Sequence, residues 1–156
     1  MAIAPTVEEF LRVRGVEYDL VCHPHTASST QTAQASRLRG SYVAKAVVVA
    51  DEQGHLVAVV PATHHLQLAW LDNLTQRRLG LVSEDDLARL FPDCELGAVP
   101  PLAVAYGVPT VVDEALFDLP EVYLEGGDHV TLVRMSGRQF RALMHAHRLA
   151  PFSLHF

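Results

Sequence analysis

Tyr42-Val43-Ala44-Lys45-Ala46-Val47-Val48-Val49-Ala50, then Asp51-Glu52-Gln53-Gly54, then His55-Leu56-Val57-Ala58-Val59-Val60-Pro61, is the stretch that decides the fold. A dense run of β-branched residues favours extended backbone, and the Asp-to-Gly tetrad is a turn, so the segment reads as a hairpin. Side chains alternate along a strand, which puts Lys45 on one face with Val43, Val47 and Val49. Ala44, Ala46, Val48 and Ala50 occupy the other. Both faces are apolar, as in an interior strand, so the lysine has no evidently wet side. Burying an ammonium without a partner is costly or drives off its proton, although a lysine near a strand end can snorkel its head out to water. Lys45 is the sole lysine beside eleven arginines. That choice favours a compact point charge over a planar fork, as a phosphate oxygen at a pocket mouth would require.

Outward from the hairpin, Thr6 and Glu9 form a capping box ahead of Val7, Phe10 and Leu11, with Gly15 as the stop. Glu17–Cys22 alternates as a short strand. The loop from His23 to Thr30 leads into a helix near Gln31–Leu38, with one of its Ser or Thr residues as cap. Beyond the hairpin, Leu66–Leu74 reads as helix and Arg77–Val82 as extended. Ser83 and Asp86 repeat the capping-box pattern, and Pro92 ends that helix. Strands are expected at Val108–Asp113, Val122–Glu125 and Val130–Met135, and a last helix from Ser136 to about His147. Helices and strands mix without a regular βαβ alternation. The expected architecture is α+β, a mixed, curled and partly barrel-like sheet flanked by helices.

The 156 residues show no internal repeat, low-complexity tract or Gly/Ser linker, so a single domain over 1–156 is expected. With 49% hydrophobic and 19% charged residues the chain has the makings of a well-packed core. A net charge of −6 argues against gripping a long nucleic-acid backbone, DNA included, but leaves room for contact with the end of an RNA. No apolar run approaches the ~18 residues of a membrane span, and the N-terminus turns acidic at once, unlike a signal peptide. Cys22 and Cys94 are too few for a disulfide framework or a four-cysteine zinc site, and a cytoplasmic location is expected.

Two further segments have the composition of a site. Gly97-Ala98-Val99-Pro100-Pro101 combines a glycine that admits close backbone approach with prolines that stiffen the turn. Such a loop suits backbone N–H groups aimed at a carbonyl oxygen that gains charge during attack, and equally a rigid connection out of the preceding helix. Gly126-Gly127-Asp128-His129 lies between two expected strands and could hold His129 over a pocket or leave it on an exposed turn. The nine histidines include His23/His25, His64/His65 and His145/His147, none in a recognised metal-ligand spacing, so no metal and no cofactor are expected. Cys22 and His23 would point to opposite faces of a strand, and Cys94 has no nearby base in sequence. No GxSxG, GxxxxGK or GxGxxG motif occurs. Arg37, Arg39, Arg77 and Arg78 are candidate phosphate contacts or ordinary solvated surface.

Taken in order, the lysine strand around Lys45, the Gly97–Pro101 loop, the strand with Val111-Val112-Asp113 and the Gly126–His129 turn resemble the YbaK/ProX family. Its members are stand-alone relatives of the editing domain inserted in bacterial prolyl-tRNA synthetases. The resemblance runs from the His23–Thr30 loop to the last helix, and it is carried by motif order and spacing. It implies an aminoacyl-tRNA deacylase that hydrolyses, in trans, the ester of a wrong small amino acid on a tRNA, tRNA(Pro) first. The lysine matching Lys45 would hold the terminal adenosine's phosphate. Gly97 and Ala98 would position the carbonyl, and Val99, Pro100 and Pro101 would line the aminoacyl pocket. Thr26, Ser28 and Ser29 fall where relatives bring a loop over the site, and Gly127 and His129 fall at its rim. Water attacks, helped by the ribose 2′-hydroxyl, with no protein nucleophile. Relatives acting on alanyl-tRNA place a polar residue after the lysine, where this chain has Ala46, so alanine, cysteine, serine and threonine all stay open. The implied partners are the acceptor end of a mischarged tRNA and an aminoacyl-tRNA synthetase, on a monomer or homodimer. The other reading is a catalytically silent module binding an aminoacyl group, a nucleotide or a synthetase in the same cleft.

Overall fold

The computed structural model describes residues 3–26 and 28–156; Met1, Ala2 and Ala27 of the loop before the second helix lie outside that range. The hairpin forms as expected, from β2 (Val43–Asp51) and β3 (Gly54–Pro61), in register from Ala44 opposite Pro61 to Asp51 opposite Gly54. Its tip is clamped by Arg77, whose guanidinium donates to both Asp51 carboxylate oxygens, at 2.8 and 2.6 Å, and to the Gly54 carbonyl at 3.0 Å. That engagement takes Arg77 out of the candidate phosphate contacts.

The flanking strands are β1 (Asp19–Cys22), β5 (Gly80–Leu81), β6 (Thr110–Asp113), β7 (Glu121–Glu125), β8 (Thr131–Ser136) and β9 (Arg148–Leu149). Among the described residues they join the hairpin in one mixed sheet of order β1-β8-β7-β2-β3-β6-β9, with β5 also on β2. The β2–β7, β3–β6 and β6–β9 pairs are parallel. The end strands β1 and β9 do not pair with one another, so the sheet is open and not a closed barrel. A separate ribbon pairs β4 (His64–Leu66) with β10 (Ser153–His155).

Among the described residues, five α-helices pack around the sheet: α1 (Pro5–Val13), α2 (Ser29–Ala35), α3 (Leu68–Thr75), α4 (Glu84–Leu90) and α5 (Gly137–Met144). One face of the sheet presents Ala44, Val48, Val57, Val59, Val122, Leu124, Val133 and Met135 to the main core, which α1 and α5 close with Val7, Leu11, Phe140 and Met144. Burying each valine, leucine, methionine or phenylalanine of this set contributes roughly 1.5–3 kcal/mol. The other face carries two smaller clusters, one around Val49, Val60 and Phe152 and one around Val43, Tyr123 and Leu132 beneath Ala33 of α2.

Ser28, Ser83 and Ser136 cap α2, α4 and α5, each accepting from the backbone N–H three residues on. The expected cap at Thr6 does not form. α1 begins at Pro5, the Thr6 N–H donates to Asp93 at 2.9 Å, and Glu9 pairs with Arg12. The expected extension over Arg77–Val82 shrinks to two residues, and the last helix ends at Met144, with a 3₁₀ turn through His147. No helix of the described residues is long and apolar enough to cross a membrane.

Candidate active site

The parallel strands β2 and β7 are paired at Val43–Tyr123 and Ala44–Leu124. Past that point β7 ends at Glu125 while β2 runs on through Lys45 and Ala46. A cleft of about 50 Å³ occupies the divergence. Its floor is Val43 to Ala46 of β2 with Leu132 of β8, and one wall is Ser28, Ser29 and Thr32 at the start of α2. The opposite wall is Gly97 and Val99, and Glu125 and His129 close the end.

Lys45 is half-buried, and no salt bridge reaches it among the described residues. Its ammonium nitrogen lies 5.6 Å from the ring centroid of Phe156, which offers a π face in place of a carboxylate. Burial pushes the Lys45 pKa down from the ordinary lysine value. A cation held with this little compensation in the cleft floor is suited to an anion supplied from outside.

The Gly97 wall is held by contacts that span the chain. Gly97 has φ +82°, a left-handed backbone that favours glycine, and a Cβ there would sit 3.6 Å from His129 Cε1. The Leu96 carbonyl and His129 Nε2 are 2.7 Å apart, and the Glu95 N–H donates to the Gly127 carbonyl at 2.8 Å. His129 itself has φ +62°. Its turn is gathered by Glu125 Oε2, which accepts from the N–H groups of Gly127 (2.8 Å), Asp128 (3.3 Å) and His129 (3.3 Å). Just before the Gly97 loop, Asp93 accepts from Tyr106 Oη at 2.6 Å and from the Thr6 N–H. Burial raises the Asp93 pKa, but these hydrogen bonds outweigh it and leave the carboxyl below its usual range.

Of the residues named from the sequence, Lys45, Gly97, Val99, Ser28, Ser29 and His129 meet at this cleft. Ala98 does not line it: the residue is buried, and its N–H donates to the Glu95 carbonyl at 3.0 Å, so that amide is spent within the turn. The Gly97 and Val99 amides make no hydrogen bond within the chain among the described residues. Pro100 and Pro101 are buried behind the loop, and Gly127 packs against Ala4 and Cys94. Thr26 stands behind the wall, its hydroxyl bonded to that of Thr32.

Thr32 and Glu125 are cleft residues that sequence reasoning missed. The i, i+3 spacing from Ser29 put Thr32 on the same helical face, and Glu125 directly precedes the Gly-Gly turn. Burial pushes the Cys94 thiol up to about 11, away from an activated thiolate, and Cys22 is exposed on the edge strand β1; neither lines this cleft. His25, Glu95 and His129 bring potential ligand atoms within 4.8 Å of one another, a grouping that spacing along the chain could not reveal. His25 and Glu95 are exposed, and His129 Nε2 is already engaged by the Leu96 oxygen.

Residues 23–143 match the aminoacyl-tRNA editing domain family. Comparison with curated proteins returned no match. Among solved structures, the hypothetical protein APE2540 is 25% identical with a TM-score of 0.83, over 96% of this chain and 99% of its own. A candidate trans-editing enzyme for prolyl-tRNA synthetase is 26% identical with a TM-score of 0.81, over 94% of each chain. The same fold occurs within a longer chain, a candidate signal transduction protein from Marinobacter aquaeolei, at 22% identity and a TM-score of 0.76, covering 96% of this chain and 30% of that one. The match over most of the chain, on a fold whose cleft joins the lysine strand to the Gly97 loop, places this protein in the aminoacyl-tRNA editing domain family.

Proposed function

We propose that the protein is a trans-acting deacylase that hydrolyses the ester of a small, wrongly attached amino acid at the 3′ end of a tRNA, with tRNA(Pro) as its RNA. Family membership supports the editing role. The observation that carries the finer reading is that Lys45 and Gly97, separated along the chain, line one cleft of about 50 Å³. Its lining of Val43, Ala44, Ala46, Val99 and Leu132 suits a short aliphatic or small polar side chain.

In this reading the Lys45 ammonium takes the phosphate of the terminal nucleotide and so fixes the ester carbonyl against the Gly97–Val99 backbone, which lowers the entropic part of the barrier. The free amides of Gly97 and Val99 receive the carbonyl oxygen as it gains charge. One such donor is worth about 2.7–4 kcal/mol of barrier. Water attacks the carbonyl carbon, the ribose 2′-hydroxyl assists, and the bond to the 3′ oxygen breaks to release the free amino acid and the tRNA. An ester is activated relative to an amide, so positioning and oxyanion stabilisation suffice without a protein nucleophile.

The test is a panel of alanyl-, cysteinyl-, seryl- and threonyl-tRNA(Pro) beside prolyl-tRNA(Pro). Turnover of at least one small mischarged species, with prolyl-tRNA(Pro) left intact, is expected. Binding without hydrolysis across the panel would instead establish a silent aminoacyl-binding module.

A further inference from the structure

We propose that Glu125 is the anchor for the substrate's α-ammonium group, making the site selective for amino acids whose amine is free. The inference rests on the deacylase reading and goes beyond it by assigning a specificity-determining residue. Glu125 is the one acidic side chain lining the cleft among the described residues. The β2–β7 register places it and Lys45 each one residue past the Ala44–Leu124 pair, on the same sheet face as Val43 and Tyr123. Neighbouring strands lie roughly 4.8 Å apart, yet the two opposite charges form no salt bridge with each other. Lys45 leans to Phe156, while Glu125 is turned to its own glycine turn. The cleft therefore has a positive and a negative pole held apart.

An aminoacylated 3′ end carries the matching pair. Its phosphate is anionic, and its ammonium sits one carbon from the ester carbonyl. A carboxylate beside a developing oxyanion would oppose the reaction by like-charge repulsion unless a cation lay between them. The α-ammonium is that cation. Glu125 is also held ready to receive it, because Oε2 is fixed by three backbone N–H donors while Oε1 makes no hydrogen bond among the described residues. An N-acylated aminoacyl end has no charge to offer and would leave the carboxylate facing an amide.

The test uses the full chain and two non-hydrolysable probes, 3′-(L-alanylamido)-3′-deoxyadenosine 5′-phosphate and its N-acetyl derivative, with binding measured by calorimetry. The free amine is expected to bind about ten- to a hundredfold more tightly, the worth of one charge-assisted hydrogen bond. Glu125→Gln keeps an oxygen for the three backbone donors. It is expected to melt as the parent does, to lose that preference, and to bind the N-acetyl probe as the parent does. Equal binding of both probes by the parent, binding of neither, or an equal loss on both probes in Glu125→Gln would overturn the assignment. Hydrolysis of the corresponding esters by the parent is scored separately, so a preference without turnover would remove the deacylase reading and leave the amine site standing.

Discussion

Replacing Lys45 by methionine separates a substrate-binding charge from a structural one. Methionine keeps most of the stem that packs along β2 and removes the ammonium. If that ammonium makes one charge-assisted contact to a substrate phosphate, its loss costs about 1.5–3 kcal/mol. At 1.36 kcal/mol per decade this is about a 10- to 150-fold fall in kcat/KM. Stability should move the other way. Burial holds the folded-state Lys45 pKa below its unfolded value, so the folded chain binds this proton less tightly than the unfolded chain does. The protonated side chain therefore disfavours folding at neutral pH, and the penalty fades only as pH rises through the folded pKa towards about 10.4. Lys45→Met removes it, and because the side chain is only half-buried the melting temperature at pH 7 should be equal or slightly higher. Initial rates of amino-acid release at subsaturating mischarged tRNA, paired with thermal melts, read both quantities. A melting temperature that falls in step with activity would refute the reasoning, as would a rate within about twofold of the parent.

Gly97→Ala meets no steric obstacle from His129, whose nearest atom would be 3.6 Å from the new Cβ, so its cost is the positive φ. That cost is about 1–2 kcal/mol, or roughly 2–8 °C in melting temperature. Misplacing the adjacent amides should lower deacylation by about 10²–10³, and an unchanged rate alongside the full thermal loss would take this turn out of the chemistry. At the hairpin tip, Arg77 holds the Asp51 carboxyl down to about 2. Its contribution is complete above the unfolded carboxylate value of about 3.9 and is lost as pH falls towards 2. Asp51→Asn should lower stability at pH 6 and flatten its decline between pH 4 and 2, and parallel acid-unfolding profiles would deny the pair a stabilising role.

The features legible in the sequence are those set by nearest neighbours. The β2–β3 hairpin, the cap at Ser83, the helix start at Ser136 and the interior position of Lys45 all follow from residue type and short-range spacing. The cap of α2, by contrast, stays open among several Ser and Thr residues until the structure assigns it to Ser28. Thr6 shows where such reasoning ends. It carries a capping pattern, yet its N–H is claimed by Asp93, distant in sequence and brought alongside by the fold. The ribbon strands His64–Leu66 and Ser153–His155 are too short to show a period, and each exists because the other supplies its ladder bonds.

The cleft divides in the same way. Lys45 and Gly97 stood out as a lone lysine in an apolar strand and a glycine before two prolines. The proline pair stiffens the loop from behind and stays out of the cleft, and the Ala98 amide is consumed inside the turn. Thr32 and Glu125 carry no signature of their own and become cleft residues because β7 stops where β2 continues. Sequence alone determined the local conformations and the residue types able to do this chemistry, because torsional preference and side-chain periodicity act over a few residues. Tertiary structure decided which of them share one solvent pocket, because that depends on where strands separated by long loops pair and where the pairing ends.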